Sequence, residues 1–472
     1  MKIKIRKKLK TLTTALLTAV LGAGSAFCPI TSYAAQSWVA LNEELTAEGA
    51  IVMDADSGAV LWGKNIDTQY CPASITKLMT GLVVLENCSL DEEVTVTSEA
   101  VSNLESGASA VGLAAGDVLT VDELLHAMLL RSANDAANVL ACYVSGDIDS
   151  FAEKMTQRAK ELGCKNTIFR NPSGLTKPEN VTTAYDMALI AAECARTPGF
   201  LEVESKLSYK IRRDSKYPDG FTVHQEHKMI LKGTAYSDSR VIGGKTGFIK
   251  ASGNTLVTIA EDNGLRLAAV VLKDKNPAHY LDTEKMLDFG FDNFESRKIS
   301  DPVGDYAVTD RLIADKIIES NNSDIRAEGE AKVTLPKGAD LADVKVSYDY
   351  NIKDGAPEGA VAKMIFKYDG VNVGNTYIIN DKVSDIAVEV DEGKKKGFAL
   401  NIPAGRILSA GLICIVLAAV IALIFVIRNR IRLARERDEL RRARRLRRLR
   451  ELDMSEDEFR ELVRRSRSRK RK

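Results

Sequence analysis

Residues 407–427 (Ile407 to Ile427) are 21 consecutive positions without a charge, rich in Leu, Ile, Val and Ala, and Arg428, Arg430 and Arg432 follow at once. A run of that length crosses a bilayer only as a helix, because nothing else satisfies the backbone N–H and C=O groups in hydrocarbon. A buried core helix is the alternative. The arginines directly after the run favour a stop-transfer signal, with the basic side in the cytoplasm. One transmembrane helix therefore divides the chain: residues 35–406 are expected outside the cell and residues 428–472 inside it.

The N-terminus has its own signal. Lys2, Lys4, Arg6, Lys7, Lys8 and Lys10 precede an apolar stretch at residues 12–27, and small residues stand at Ser32 and Ala34. Residues 1–34 thus read as a signal peptide cleaved after Ala34; a retained anchor helix fits less well because Thr, Gly and Ser interrupt the run. The net charge of +1 averages unlike parts. Residues 428–472 hold 20 Lys/Arg against nine Asp/Glu, while residues 35–427 hold 40 against 56. A basic tail below an acidic exterior portion is the physical picture. The seven cysteines, at 28, 71, 88, 142, 164, 194 and 414, contain no Cys-x-x-Cys pair. Most are expected as small buried apolar side chains, with a single disulfide left open.

Within the exterior portion, residues 50–54 and 59–63 read as two strands joined by Asp56-Ser57-Gly58. A helix is expected from Ser74, where Ile75, Leu78, Leu82 and Leu85 recur at helical spacing. Another is expected after Thr120, which with Glu123 has the form of a capping box. Helical patterns recur at residues 151–162 and 185–196, strands at 254–260 and 265–271, and a helix from Asp282. Strands at both ends with helices between them predict an α+β domain, residues 35–296, whose sheet is completed by distant segments. From about residue 297 the alternation of Val344, Val346, Tyr348 and Tyr350, and of Met364, Phe366 and Tyr368, predicts a small β-rich domain to residue 396.

Three short motifs carry chemistry. Ser74 and Lys77 form a Ser-x-x-Lys pair, which a helix would place on one face. A lysine held near a serine, desolvated and among other cations, can serve as its base. Ser132-Ala133-Asn134 forms a Ser-x-Asn, and Lys245-Thr246-Gly247 stands at the start of a strand, where it can bind a carboxylate and admit a substrate backbone. Taken singly, each is also compatible with a capped helix or a polar turn. In this order they match the set shared by penicillin-binding proteins and class A β-lactamases.

The chain resembles the low-molecular-mass D-alanyl-D-alanine carboxypeptidases of the penicillin-binding proteins. The resemblance rests on PASITKLMT at residues 72–80, SANDA at 132–136, NPSGL at 171–175 and AYDM at 184–187, and covers about residues 40–296. It implies a penicillin-binding/β-lactamase-like transpeptidase fold, with Ser74 as nucleophile, Lys77 as base and Ser132 as proton relay. Asn134 would hold the substrate amide, and Lys245 and Thr246 its terminal carboxylate. The oxyanion hole would be the backbone N–H groups of Ser74 and Phe248, the residue after Gly247. The substrates implied are peptidoglycan stem peptides ending in D-Ala-D-Ala, with β-lactams as acylating inhibitors. No cofactor, metal or nucleic acid is called for.

Two departures bear on substrate preference. Ile249 stands where the family often has Thr, and His279 stands near the place of an Arg. His224-Gln225-Glu226-His227 has no further ligand cluster and is not expected to bind metal. A β-lactamase is the nearest rival, but no Glu-x-x-Leu-Asn segment lies between Ser132 and Lys245. A non-enzymatic penicillin sensor would need a signalling domain, for which a 45-residue tail is too short. That tail is expected to be helical, with a second capping box at Ser455–Glu458 and arginines against anionic lipid.

Overall fold

The two strands expected near residues 50 and 60 form an antiparallel hairpin, β1 (Gly49–Asp54) and β2 (Val60–Lys64), in the computed structural model of the chain. The structure describes residues 38–381 except 103, 105–106, 213–214, 316, 318–323 and 353–355. The expected signal peptide, the run 407–427 and the basic tail lie outside the described residues. No helix among the described residues is long and apolar enough to cross a membrane.

After β2 the chain runs through α1 (Lys77–Asn87), α2 (Val121–Leu130), α3 (Asn134–Ser145), α4 (Ile148–Glu161), α5 (Ala184–Arg196) and the short α6 (Phe200–Glu204). It then returns as β3 (Val241–Ile249), β4 (Gly253–Asp262) and β5 (Leu265–Asp274), followed by α7 (Ala278–Asn293). The five strands form one antiparallel sheet in the order β2-β1-β5-β4-β3. Distant segments do complete the sheet, as the sequence order implied.

Both faces of this sheet are covered, which explains its nearly unbroken apolar strands. Ile51, Met53, Val257, Ile259, Ala268 and Val270 pack into the helical layer. Their alternates Ala50, Val52, Leu256, Ala260, Leu267 and Ala269 pack with Met286, Leu287 and Phe291 of α7. A period of two along each strand thus divides the side chains between two cores. The Thr120 capping box is present, with Glu123 N–H donating to Thr120 Oγ1 at 3.2 Å and Thr120 N–H to Glu123 Oε2 at 2.9 Å.

Several boundaries differ from expectation. Ser74 lies in a 3₁₀ turn, Ala73–Thr76, and the α-helix begins only at Lys77. The final helix of this region starts at Ala278, four residues before Asp282. The strand β6 (Phe294–Ile299) runs across residue 297 and pairs with β7 (Ala331–Pro336). Two short helices, Pro302–Asp305 and Val308–Ala314, were not foreseen in the β-rich part. There β8 (Lys345–Asp349), β9 (Ala360–Tyr368) and β10 (Val371–Asn380) form an antiparallel sheet with Ile325–Ala327. Asp369 and Gly370 turn the β9–β10 hairpin with φ of 49° and 81°, the left-handed pair a two-residue turn of this kind requires.

A buried polar cluster ties β7 to the turn after β1. Thr334 Oγ1 donates to the Asp54 carboxylate and lies 2.6 Å from Ser57 Oγ, and Lys332 Nζ donates to Asp56 Oδ2 at 2.6 Å. All five described cysteines are free; Cys164 and Cys194 are buried, whereas Cys71, Cys88 and Cys142 are only half-buried.

Candidate active site

A 3₁₀ turn has three residues per turn, so positions i and i+3 eclipse, and this geometry brings Ser74 and Lys77 together. Lys77 Nζ lies 3.0 Å from Ser74 Oγ, 2.6 Å from Asn134 Oδ1 and 2.8 Å from the Ser173 carbonyl oxygen. Asn134 and Ser173 present acceptors here, whereas a hydroxyl can also donate. An uncharged amine with two N–H groups and one lone pair satisfies all three: it donates to Asn134 and Ser173 and accepts from Ser74. Lys77 is fully buried. Burial, and then the charge of Lys245, hold its ammonium well below the usual lysine range.

Two non-glycine residues at this place occupy the left-handed region: Ala73 at φ 53° and Ser132 at φ 60°. Such backbone persists only where the surroundings over-determine it. For Ser132 part of the constraint is visible. The next residues open α3, whose Asp135 carboxylate is buried and accepts from the N–H groups of Val111, Gly112 and Leu113. Asn134 N–H donates to the Ser109 carbonyl at 2.8 Å. The loop before α2 is thereby fastened to the Ser-x-Asn segment.

From the opposite side comes β3, at the edge of the sheet. A Cβ on Gly247 would lie 2.9 Å from Ser74 N and 2.5 Å from Thr255 Oγ1, so only glycine permits β3 to approach the Ser74 amide this closely. Thr255 Oγ1 also donates to the Pro72 carbonyl at 2.9 Å, joining β4 to the turn that carries Ser74. Gly174, at φ 84°, is equally constrained, since a Cβ there would strike the Ala73 carbonyl.

These elements surround a cleft of about 620 Å³. Ser74, Ser132, Asn134, Thr246, Gly247 and Phe248 all line it. Lys77 and Lys245 do not; both are buried beneath its surface. Lys245 Nζ donates to the Thr246 carbonyl at 3.0 Å. Burial lowers the Lys245 ammonium, opposed by Glu226 and Glu204. Phe248 is 66% exposed where it lines the cleft.

Reasoning from sequence missed several neighbours. Ser173 belongs to the NPSGL segment, but the role of its carbonyl against Lys77 is a tertiary fact. Glu226 lines the cleft and is ion-paired with Arg131, the residue before Ser132. The expected His-Gln-Glu-His segment is split: His224 is exposed on a strand, whereas His227 is buried against Thr258 at 3.0 Å. Among the described residues no cluster of His, Cys, Asp or Glu is arranged to hold a metal ion. Ile249 and His279 both line the cleft, and burial lowers the His279 imidazole below its usual value.

A serine beside a desolvated lysine, facing a glycine-bearing sheet edge across a cleft, marks a serine hydrolase of the penicillin-binding class. The family profile Peptidase S11, D-alanyl-D-alanine carboxypeptidase, matches residues 35–276, and the chain belongs to this family. The chain is 31% identical over 341 residues to the D-alanyl-D-alanine carboxypeptidase DacF of Bacillus subtilis, covering 69% of this chain and 82% of that protein. Penicillin binding protein 5 from Haemophilus influenzae has the same fold, with a TM-score of 0.57, 26% identity, and coverage of 73% of this chain and 99% of that one. Penicillin binding protein 6B from Escherichia coli superposes with a TM-score of 0.53 and 26% identity over 71% of this chain and 96% of that one.

Proposed function

We propose that the chain removes the terminal D-alanine from peptidoglycan stem peptides ending in D-Ala-D-Ala, through an acyl-enzyme on Ser74. The observation that carries this reading is the Lys77 amine, buried and within hydrogen-bonding distance of Ser74 Oγ. Lys77 takes the Ser74 proton as Oγ attacks the peptide carbonyl. The N–H groups of Ser74 and Phe248 receive the developing oxyanion, a placement worth several kcal/mol where donors are preorganised. Asn134 holds the substrate amide. Lys245 and Thr246 receive the terminal carboxylate, and Ser132 passes a proton to the leaving amine of D-alanine. Water then hydrolyses the ester and regenerates Ser74. β-Lactams would acylate the same oxygen and leave slowly.

Incubating the chain with a pentapeptide ending in D-Ala-D-Ala, followed by mass spectrometry, should show loss of one alanine. Ser74→Ala should abolish this and covalent labelling by a fluorescent penicillin; labelling at the wild-type level would overturn the assignment. Rapid release of the label would instead indicate a β-lactamase.

The same proposal extends to location. The signal-like residues 1–34, the uncharged run 407–427 and the arginines after it support an extracytoplasmic catalytic domain on a single span. The β-rich domain would stand between the catalytic domain and the membrane, and the basic tail would lie against anionic lipid inside. Protease added to intact protoplasts should leave the tail uncut; its digestion there would reverse the topology.

A further inference from the structure

Glu204 ends α6 beneath β3 and is fully buried, yet neither of its carboxyl oxygens has a hydrogen-bond partner. A carboxylate so placed is costly unless a charge faces it. A Cβ built on Gly243 would lie 3.1 Å from Oε2, so the carboxyl rests against the strand that carries Lys245 two positions on.

The groups around Glu204 leave Lys245 as its counter-charge. From α5 comes the Cys194 thiol, kept neutral by burial. The sides of α1 and α2 toward α6 are apolar, with Phe200, Met128 and Leu129 all meeting at Gly81. His227 packs against Gly244 and is driven down to about 3 by burial, so it is neutral. Glu226, the other carboxylate acting on Lys245, is already paired with Arg131. The Gly244 N–H favours the charged carboxylate slightly without forming a hydrogen bond. Burial, opposed first by Lys245, pushes Glu204 up to about 7.

One buried ammonium cannot neutralise two carboxylates in a low dielectric, and a second anion raises the pKa of the first. We propose that Glu204 is a positioning residue for carboxylate recognition, taking up one proton from solvent when an anionic peptide C-terminus docks on Lys245. Lys245 then faces the bound carboxylate with its whole charge. The inference rests on the reading of Lys245 as the carboxylate site.

By linkage, the peptide binds more tightly to the form that already holds the proton, and affinity falls as pH rises through the range in which free Glu204 ionises. The test measures KM and kcat for the full-length chain between pH 6.5 and 8.5, above the range in which His279 titrates. The probes are an N-acetylated peptide ending in D-Ala-D-Ala and its C-terminal amide. For the acid, KM should rise about sixfold across this range, the change given by a one-unit rise of Glu204 from about 7 on forming the complex. For the amide it should stay flat, and any effect of Lys77 on the chemical step should be common to both probes. Glu204→Gln should abolish the rise for the acid and hold KM at the low-pH value. A rise that persists in Glu204→Gln, or none in the wild type, overturns the proposal. Acid and amide with equal KM at every pH would instead overturn the reading of Lys245, and the proposal with it. Should Glu204→Gln not fold, calorimetry of acid peptide binding to Ser74→Ala in two buffers of different ionisation heat decides: proton uptake is expected, and none refutes it.

Discussion

Lys77 Nζ and Asn134 Oδ1 are 2.6 Å apart although 57 positions separate them in sequence. The contact gives one lysine hydrogen an acceptor other than Ser74 and so helps aim the nitrogen lone pair at the serine hydroxyl. Asn134→Ala leaves that buried donor unmatched, at about 1–3 kcal/mol. Acylation by a fluorescent penicillin should slow about 10- to 100-fold on this account. An unchanged acylation rate would show that Asn134 does not orient Lys77.

The burial of Lys77 makes a prediction about pH. The acylating form is the uncharged amine, and its folded pKa lies well below 10.5, chiefly through desolvation and then through Lys245. Acylation should therefore rise as pH passes upward through this depressed value and then level off; below it the rate should fall about tenfold per pH unit. A rate that continues to climb to pH 10.5 would mean that Lys77 is not the base.

Gly247→Ala tests the approach of β3 to Ser74. The added Cβ would lie 2.9 Å from Ser74 N and 2.5 Å from Thr255 Oγ1, so the strand must retreat and carry Phe248 N–H with it. Loss of one oxyanion donor costs about 10²–10³ in rate. Penicillin acylation should fall by that order while the thermal midpoint changes little. Near-normal acylation would remove Phe248 from the oxyanion hole.

Stability, rather than activity, should report on Thr334. Its hydroxyl donates to Asp54 and meets Ser57, and Asp54 is buried, which raises its carboxyl above the usual range. Thr334→Val keeps the shape but removes the donor to the buried Asp54 Oδ2 and the partner of the Ser57 hydroxyl, costing about 1–3 kcal/mol. Chemical denaturation should show the loss, with penicillin labelling of the folded protein unchanged. A variant as stable as the wild type would show that the cluster does not hold β7 to the turn after β1.

His227 offers a stability test of opposite chemistry. Its imidazole is driven from 6.5 to about 3 by burial, so the unfolded chain binds a proton in that window and the folded chain does not. Stability should fall as pH drops from 6.5 toward 3, by a few kcal/mol from this residue alone. His227→Gln should flatten that acid limb in thermal melts; an unchanged limb would place the loss elsewhere.

Local signals in the chain were enough to determine the Thr120 capping box, four of the five strands of the sheet and the three motifs with their order, whereas Lys245, expected at the start of a strand, stands in the middle of β3. Each depends on neighbours within a few positions, where side-chain spacing and turn chemistry decide the conformation. The same reading placed Ser74 on an α-helix and began the last helix of the catalytic region at Asp282. A 3₁₀ turn and an entry at Ala278 stand there instead; contacts from Gly174, Thr255 and β3 shape the turn that carries Ser74. Only the tertiary structure decided the environment of Lys77, since the Ser173 carbonyl and Asn134 lie 96 and 57 positions away. It alone put Glu204 and Glu226 beside Lys245. A carboxylate in the sequence carries no mark of its burial, and burial is what moves a lysine down, or a glutamate up, from its usual titration range.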